Sequence, residues 1–303
     1  MDYYNIAIAI NEKYEKYAAT MILSLIDNNK GCFEIYILNS FPQEKELSII
    51  NDICQNNSNV QIHDIRISPQ LYNKFPICRQ ITKETYYRFL IVDVIPNDIK
   101  KILYLDSDII INKSIDKLYN TDISDYIFAI CEDEYTSINK GTITIFDKKS
   151  EKPNLGKYFN AGVMLINLEK YKNKISQKTI EKFVIDNIND IVWNDQDILN
   201  YLYGSEVKYV EYSLYNKEVM MIKSRNEEQY FSKNTAIFHY CGKIKPDSYK
   251  YTNYCADIFW KYAKNIRSFE KSKRKYDMFN LFWRKMYKIY CKGTSIIKRV
   301  INK

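Results

Sequence analysis

Two aspartates, Asp106 and Asp108, stand at the end of the apolar run Ile102–Leu105, with only Ser107 between them. Burying carboxylates beside so much apolar sequence is costly unless something compensates their charge. Hard oxygen ligands suit Mg²⁺ and Mn²⁺, and residues two apart in a strand face the same side. The pair therefore predicts a divalent metal site, although two aspartates that cap a turn would give the same pattern.

Alternating strands and helices surround this pair. Apolar runs predict strands at residues 5–10, 33–38, 60–65, 102–105, 128–131, 158–168 and 236–240. Helical spacing predicts helices at residues 17–26, 43–53, 84–94 and 171–187, and another that Asn194 or Asp195 caps. Such alternation is typical of an α/β fold with a mainly parallel sheet, which binds ligands at the carboxyl ends of its strands. Asn11–Tyr14 and Asp106–Asp108 both lie at such ends.

Composition narrows the class of protein. The chain has 303 residues, of which 46% are hydrophobic and 15% aromatic, so it can bury a large core and is not a disordered protein. Its seven scattered cysteines form no C-x-x-C pair, which indicates neither a disulfide framework nor a zinc site and fits a reducing cytoplasm. The N-terminus has no basic region, and we expect neither a signal peptide nor a membrane-spanning helix.

Three further motifs follow the aspartate pair: Phe159-Asn-Ala-Gly162, Asn194-Asp-Gln-Asp197 and His239-x-x-Gly-x-x-Lys-Pro246. In this order, over residues 5–250, the motifs resemble glycosyltransferase family 8. That family includes retaining bacterial galactosyl- and glucosyltransferases and, more distantly, glycogenin. The resemblance implies a glycosyltransferase-A fold, a Rossmann-like mixed sheet flanked by helices, that binds a UDP-sugar and Mn²⁺. We expect residues 1–250 to form this catalytic domain and residues 251–303 to form a basic helical extension.

The resemblance also implies that Asp106, Asp108 and His239 hold the metal. The residue types agree, because carboxylate oxygens with an imidazole suit Mn²⁺ better than an all-oxygen site, with Mg²⁺ as the alternative ion. A satisfied core histidine at a strand end would be the plainer interpretation of His239. The other histidine, His63, lies on a predicted strand with no motif around it, and we expect it to be structural.

A donor site follows from the same resemblance. Ala9, Asn11 and Tyr14 match the family's uridine-binding strand end, with Tyr14 stacking on uracil, although the family often has Asp where Asn11 stands. Gly242 and Lys245 match its pyrophosphate contacts, because glycine permits close backbone approach and a lysine ammonium offsets phosphate charge. The remaining donor contacts that we expect are Arg88, Asp106, Ser107, Asp133, Asn160, Ala161, Asp195 and Gln196.

Some of these residues also have plainer interpretations. Asp133 stands in an acidic run and could belong to a solvated loop, and Asp195 could cap its helix. Asp247 stands where the family commonly has an aromatic residue, and we expect it to hold its loop less tightly over the donor.

These assignments predict a retaining hexosyltransferase of bacterial surface glycan assembly. It would move galactose or glucose from UDP-galactose or UDP-glucose to a saccharide, glycolipid or glycoprotein acceptor. We expect Gln196 to stabilise the cationic sugar in a front-face reaction, because an amide is a poor nucleophile, and Asp195 is the alternative for a covalent role. A non-catalytic UDP-sugar or membrane-surface binding protein of the same fold is the competing hypothesis. A phosphatase of the haloacid-dehalogenase type fits poorly, because its Asp-x-Asp lies near the first strand.

The net charge of +8 is concentrated in the C-terminal tail. Residues 261–303 contain fourteen lysines and arginines against two acids, interleaved with aromatic residues such as Phe282 and Trp283. Bases and aromatics in this arrangement are typical of an amphipathic helix on an anionic membrane surface. We therefore expect a cytoplasmic enzyme that is peripheral at the inner face of the cell membrane and binds no nucleic acid. Ordinary helices with solvated charge are the alternative for the tail.

Overall fold

The computed structural model describes residues 2–55, 57–78, 81–139, 144–148, 157–248, 250–251 and 253–278, without the side chains of residues 146 and 147. Most of the basic tail, residues 279–303, lies outside the described residues, so its membrane binding stays a prediction. No helix among the described residues is both long enough and apolar enough to cross a membrane.

A seven-stranded mixed sheet with the strand order β3-β2-β1-β4-β7-β6-β8 forms the centre of the fold. Among the described strands of this sheet, only β7 runs antiparallel to its neighbours β4 and β6, and the other pairs are parallel. A second sheet has three strands in the order β5-β10-β9. The strands are β1 (Tyr3–Ile10), β2 (Cys32–Asn39), β3 (Val60–Arg66), β4 (Lys101–Leu105), β5 (Ile109–Ile111), β6 (Phe128–Glu132), β7 (Phe159–Asn167), β8 (Val207–Val210), β9 (Lys217–Glu218) and β10 (Ile237–His239).

Helices cover the large sheet, so its central strands are buried on both faces, as their continuous apolar runs require. The α-helices are α1 (Glu15–Asn28), α2 (Ser48–Cys54), α3 (Ile91–Val94), α4 (Asp116–Tyr119), α5 (Glu134–Ile138), α6 (Ile145–Lys148), α7 (Leu168–Lys174), α8 (Gln177–Asn187), α9 (Asn194–Tyr203), α10 (Tyr212–Tyr215), α11 (Arg225–Asn234) and α12 (Ala256–Ala263). The α/β class expected from the alternation of strands and helices is confirmed, with β7 as the strand that makes the sheet mixed.

Three predicted helices were wrong in detail. The helix expected at residues 43–53 begins only at Ser48, because a turn in which Lys45 donates to the carbonyl of Pro42 precedes it. The helix expected at 171–187 is broken into α7 and α8, since Ile175 is extended and turns into the core. The segment expected at 84–94 is a 3₁₀ helix, Lys83–Leu90, that continues into α3.

The aspartate pair lies between the two sheets. Because β4 ends at Leu105 and β5 begins at Ile109, Asp106–Asp108 form a turn and not the end of a strand. The alternation of strand side chains, from which we expected a shared face, therefore does not apply to this pair. The Asp106 N–H donates to the carbonyl of Gly162 at 2.8 Å, and the Tyr240 N–H donates to the carbonyl of Asp108 at 2.9 Å. These two hydrogen bonds fix the turn between β7 and the chain that leaves β10.

The described part of the C-terminal extension packs on α1. Phe259, Trp260 and Phe269 are buried in the same hydrophobic core as β1 and α1. The Tyr17 ring on α1 contacts the rings of Phe259 and Phe269 at centroid distances of 6.2 and 5.5 Å. The extension thus buries aromatic surface that α1 would otherwise expose, and the division of the chain at residue 250 remains a prediction.

We expect Phe259→Ala to lower the free energy of unfolding by about 3–5 kcal/mol, because it leaves a cavity in this shared core. Urea unfolding of the full chain measures the change. Ile185→Ala on α8, at a side chain that is 74% exposed, is the control and should change stability by less than about 0.5 kcal/mol. A loss at Phe259 no larger than that of the control would show that the extension does not support the core.

Candidate functional site

A cavity of about 380 Å³ opens at the carboxyl ends of β1 and β4, beside the turn that joins the two sheets. It brings together residues that are far apart in the sequence and that sequence analysis assigned to one site. Among the predicted site residues, all of which are described, only Ala161 stays outside the cavity wall. Those that line it are Ala9, Asn11, Tyr14, Arg88, Asp106, Ser107, Asp108, Asp133, Asn160, Asp195, Gln196, His239, Gly242 and Lys245.

Asp106, Asp108 and His239 each present one ligand atom within 4.8 Å of the others. Nε2 of His239 lies 3.3 Å from Asp108 Oδ1 and 3.7 Å from Asp106 Oδ2. A Cβ atom on Gly162 would lie 2.4 Å from Cε1 of His239 and 2.9 Å from Asp106 Oδ2, so only glycine leaves room for this cluster. Two carboxylate oxygens and one imidazole nitrogen at this spacing fit a divalent cation such as Mn²⁺.

Two cationic side chains border the cluster. Lys245 donates to Asp108 and to the carbonyl of Tyr240, and Arg88 Nη2 lies 3.0 Å from Asp106 Oδ1. Burial alone would raise the pKa of Asp108, but Lys245 and His239 lower it well below its ordinary value. Asp108 therefore remains ionised and can bind a cation, with the positive side chains of Lys245 and Arg88 at the edge of the cluster for an anionic ligand.

Arg88 and Asp195 form a buried ion pair. Arg88 Nε lies 3.0 Å from Asp195 Oδ2, and the other carboxylate oxygen of Asp195 accepts from the Thr85 hydroxyl. The guanidinium also donates to the carbonyl of Ala161 and lies 4.4 Å from the ring centroid of Tyr104. Burial raises the pKa of Asp195 to about 6 even though Arg88 lowers it. One carboxylate oxygen of Asp195 thus orients Arg88, and the other accepts from Thr85.

The start of α9 differs from the prediction. Neither Asn194 nor Asp195 caps the helix: Trp193 occupies the N-cap position without a side-chain cap. Asp197 Oδ2 accepts from the N–H groups of Val192 and Trp193, which precede the helix, at 2.7 and 2.9 Å. Asn194 adopts a left-handed conformation with φ of 48°, which turns the chain into the helix. Asp195 is consequently free of the capping role and faces Arg88.

Asp133 and Gln196 are hydrogen-bonded to each other in the part of the cavity wall that β6, β7 and α9 form. Asp133 Oδ2 accepts from Gln196 Nε2 and from Asn160 Nδ2, both at 3.1 Å. Gln196 Oε1 accepts from the Ala161 N–H at 3.1 Å, so the Ala161 backbone supports the site without lining the cavity. Asp133 also caps α5 through the Thr136 N–H at 2.8 Å. It is buried, which excludes the solvated-loop interpretation.

At the opposite end of the cavity, the Asn11 side chain is engaged by the protein. Its Nδ2 donates to Glu84 Oε2 at 3.1 Å, and its Oδ1 accepts from the Lys13 N–H at 3.1 Å. Sequence analysis missed Glu84. Burial would raise the pKa of Glu84, but hydrogen bonds from Thr82, Ser40 and Asn11 outweigh it and lower the pKa. The Tyr14 ring, partly exposed beside Asn11, is the flat surface at this end of the cavity.

The loop after β10 is attached to α1 through Asp247. Its carboxylate accepts from the Tyr17 hydroxyl and from Lys16 Nζ, the latter at 2.7 Å. The expectation that Asp247 holds its loop over the donor less tightly than an aromatic residue would hold it stays a prediction. Gly242, earlier in the same loop, has a φ of 107°, a conformation that favours glycine.

Glu218 and Asn216 are buried site residues that sequence analysis missed. Glu218 lies in β9, which has two residues, too few to show any periodicity in the sequence. The position of β9 in the sheet is determined by its pairing with β10. Glu218 Oε1 accepts from the N–H groups of Glu134 and Tyr135, at 3.1 and 3.3 Å, and Oε2 lies 3.6 Å from the Cys241 thiol. Burial and the neighbouring Asp133 raise the pKa of Glu218 to about 8.

The raised pKa of Glu218 gives stability a pH dependence. Between the ordinary glutamate value of 4.5 and about 8, the folded protein keeps a proton that the unfolded chain has lost. Glu218 therefore lowers the free energy of unfolding progressively as the pH rises through this window. Glu218→Gln keeps the hydrogen-bond acceptor and removes this dependence.

We expect the Gln variant to gain stability relative to the wild type by a few kcal/mol from about pH 5 to about pH 8.5, since one pKa unit corresponds to about 1.4 kcal/mol. Urea unfolding at both pH values measures the difference. Glu44→Gln at an exposed position should give a difference that does not change with pH. Equal pH profiles for wild type and Glu218→Gln would contradict the raised pKa.

Comparison with known proteins agrees with this geometry. The model of glycosyl transferase family 8 matches residues 5–250. The chain is 31% identical over 252 residues to a putative glycosyltransferase of Haemophilus influenzae, covering 80% of this chain and 72% of that protein. It is 27% identical over 277 residues to a lipopolysaccharide 1,2-glucosyltransferase of Escherichia coli, covering 87% and 78%.

The fold is also that of a solved structure. The galactosyltransferase LgtC, crystallised with donor and acceptor sugar analogs, superposes with a TM-score of 0.73 at 25% identity, covering 87% of this chain and 96% of that one. This match confirms the glycosyltransferase-A fold, and the family match confirms the resemblance that the sequence motifs indicated. The chain is therefore a glycosyltransferase and belongs to glycosyl transferase family 8.

Proposed function

We propose that this glycosyltransferase moves galactose or glucose, with retention of configuration, from a UDP-α-sugar to a saccharide, glycolipid or glycoprotein acceptor in bacterial surface glycan assembly. The observation that carries the proposal is one cavity with a metal-ligand cluster beside Lys245 and with hydrogen-bonding side chains on its far wall. The names of two relatives, a lipopolysaccharide glucosyltransferase and the galactosyltransferase LgtC, support the hexose donor and the surface glycan.

Asp106, Asp108 and His239 would hold Mn²⁺, with Mg²⁺ as the alternative. A divalent cation bound there supplies positive charge for the diphosphate that leaves the sugar. Lys245 adds a second positive charge from the other side of Asp108, and Gly242 lets the backbone approach the phosphates. The Tyr14 ring would stack on the uracil base. Ala9, Asn11 and Ser107 complete the wall at the nucleotide end of the cavity.

The sugar would lie against Arg88, Asp133, Asn160 and Gln196. Both ends of the Gln196 amide are held by hydrogen bonds, to Ala161 and to Asp133, which fixes the orientation of its dipole. An amide so held is a weak nucleophile but can stabilise a cationic sugar through its carbonyl oxygen. We therefore favour a front-face reaction in which the proton of the acceptor hydroxyl passes to the departing phosphate.

Asp195 fits the alternative covalent role less well. Its two carboxylate oxygens are occupied by Arg88 and Thr85. A nucleophile needs a free oxygen directed at the reacting carbon, within about 3–3.5 Å. In our proposal Asp195 orients Arg88 and takes no covalent part.

The proposal predicts that the protein releases UDP from UDP-galactose or UDP-glucose in the presence of Mn²⁺. Chelation with EDTA should abolish release, and Asp108→Asn should lower it by at least about 100-fold, because charge stabilisation of the leaving group is lost. Asp125→Asn, at an exposed position, is the matched control and should leave the rate unchanged. A coupled assay for UDP measures the rate over a panel of UDP-sugars.

Two outcomes would contradict the proposal. Binding of UDP-sugars without any release of UDP would support the competing hypothesis of a non-catalytic binding protein. Turnover that is unaffected by EDTA and by Asp108→Asn would remove the metal from the reaction. The anomeric configuration of the product, read by NMR, tests retention separately.

The proposal includes membrane association through the tail, at the inner face of the cell membrane. The support is compositional: fourteen lysines and arginines in residues 261–303, interleaved with aromatics. An acceptor on a lipid carrier would be presented at that surface. Nucleic acid is not part of the proposal.

We expect the full chain to sediment with phosphatidylglycerol vesicles and not with phosphatidylcholine vesicles. Changing Arg284, Lys285, Lys288 and Lys292 to Gln should reduce the bound fraction several-fold, because each base near an anionic surface contributes about 1 kcal/mol. The same change at the exposed lysines Lys30, Lys117, Lys178 and Lys223 is the control. Equal binding of both variants would assign the tail to ordinary helices with solvated charge.

A further inference from the structure

Asn216 lies between the metal-ligand cluster and the sugar-facing wall. Its side chain is buried just before β9. Its Nδ2 donates to Asn160 Oδ1 at 2.9 Å, and its Oδ1 lies 2.9 Å from His239 Nδ1. Asn216 thus connects a proposed metal ligand to a proposed donor-sugar residue through two hydrogen bonds.

The orientations of the Asn160 and Asn216 amides follow from the Gly162 N–H, which can act only as a hydrogen-bond donor. The Gly162 N–H can only donate, and it lies 2.9 Å from one end of the Asn160 amide, so that end is the carbonyl oxygen. The NH₂ of Asn160 then faces Asp133 Oδ2 at 3.1 Å, which is an acceptor for Gln196 as well. Because Asn160 Oδ1 can only accept, Asn216 must present its own NH₂ to it.

The same reasoning determines which nitrogen of the His239 imidazole carries a hydrogen. With its NH₂ on Asn160, Asn216 has only its carbonyl oxygen to offer to His239 Nδ1. Nδ1 must therefore carry a hydrogen. In a neutral ring the lone pair is then on Nε2, the nitrogen that faces Asp108 and Asp106 at 3.3 and 3.7 Å. This tautomer is the one that can bind a metal beside these carboxylates.

We propose that Asn216 is a positioning residue that selects the metal-binding tautomer of His239 and, through Asn160, fastens that ligand to the sugar-facing wall. The proposal rests on the metal site of the proposed function. A hydrogen bond to the second ring nitrogen of a metal-binding histidine fixes both the tautomer and the orientation of the ring. In free histidine the proton is found more often on Nε2, so the carbonyl of Asn216 opposes the intrinsic preference.

The tautomer can be read directly by NMR, because the chain has only two histidines. In ¹⁵N-histidine-labelled protein with His63→Gln, only His239 contributes ring signals. We expect the metal-free full chain, at a pH where the ring is neutral, to show the hydrogen on Nδ1. Asn216→Leu, of nearly equal size, should move it to Nε2.

Metal binding gives the second measurement, with Mn²⁺ alone as the probe and titration followed by electron paramagnetic resonance. Asn216→Leu should raise the Kd for Mn²⁺ at least tenfold, as loss of such a partner does at other histidine sites. Asn216→Asp keeps an acceptor at His239 Nδ1 and should keep the tautomer, but it removes the NH₂ that donates to Asn160 Oδ1, so this variant is compared with Asn216→Leu by the tautomer. If Asn216 had only a structural role, the Asn216→Leu and Asn216→Asp variants would not differ from each other in this way.

Asn29→Leu is the matched control. Asn29 is a buried asparagine that bonds the backbone of Leu25 and Ile115, and its loss should destabilise the protein without changing the tautomer or the Kd for Mn²⁺. A hydrogen on Nε2 in the wild type would overturn the inference, and so would an unchanged Kd in a folded Asn216→Leu variant. If the leucine variant does not fold, the wild-type spectrum still decides.

Failure of the proposed function looks different from failure of this inference. If the wild type binds no Mn²⁺, the metal site is wrong, whereas the position of the hydrogen in the metal-free protein tests the orientation argument by itself. If Mn²⁺ binds normally while His239 carries its hydrogen on Nε2, the metal site stands and the role of Asn216 does not.

Discussion

Compensation of negative charge at the Asp106–Asp108 turn is the constraint on which the rest of the site depends. The turn lies where the chain leaves the large sheet for the small one, so the two carboxylates are held among buried strands. Arg88 comes from the 3₁₀ segment before α3, and His239 and Lys245 come from the end of β10 and the loop after it, to meet this charge. Three segments thereby meet at the Asp106–Asp108 turn, and the cavity forms between them. They are the loop after β10, the 3₁₀ segment before α3, and β10 itself.

A hydrogen-bond network behind the carboxylates fixes the orientations of the amide side chains in the site. Asp133, Asn160, Asn216 and Gln196 are connected so that each amide has one orientation only, determined by backbone N–H groups. A site built in this way needs little reorganisation when charge develops during a reaction. Because the supporting groups come from β7 and from the segment that leads into β9, small shifts between the two sheets would disturb the metal ligands and the sugar-facing wall together.

The sequence revealed those features whose signals are local. An apolar run that ends in two aspartates, strands that alternate with helices, and the ordered family motifs led to the fold and to about half of the residues that line the cavity. Sequence analysis missed Asn216 and Glu218 because β9 has only two residues. The position of β9 is determined by its pairing with β10, which is a non-local contact. The start of α9 was predicted wrongly because Asn194 and Asp195 are both residue types that cap helices, whereas the left-handed Asn194 begins the helix after Trp193 without a side-chain cap.

The carboxylate of Asp247 has a consequence for how distant parts of the molecule influence each other. It ties the loop that contains Lys245 to Lys16 and Tyr17 on α1, and the Tyr17 ring in turn packs on Phe259 and Phe269 of the C-terminal extension. The loop and the extension therefore depend on the same turn of α1 for their positions. A substitution at Tyr17 would remove a hydrogen bond from the loop and aromatic contacts from the extension at once.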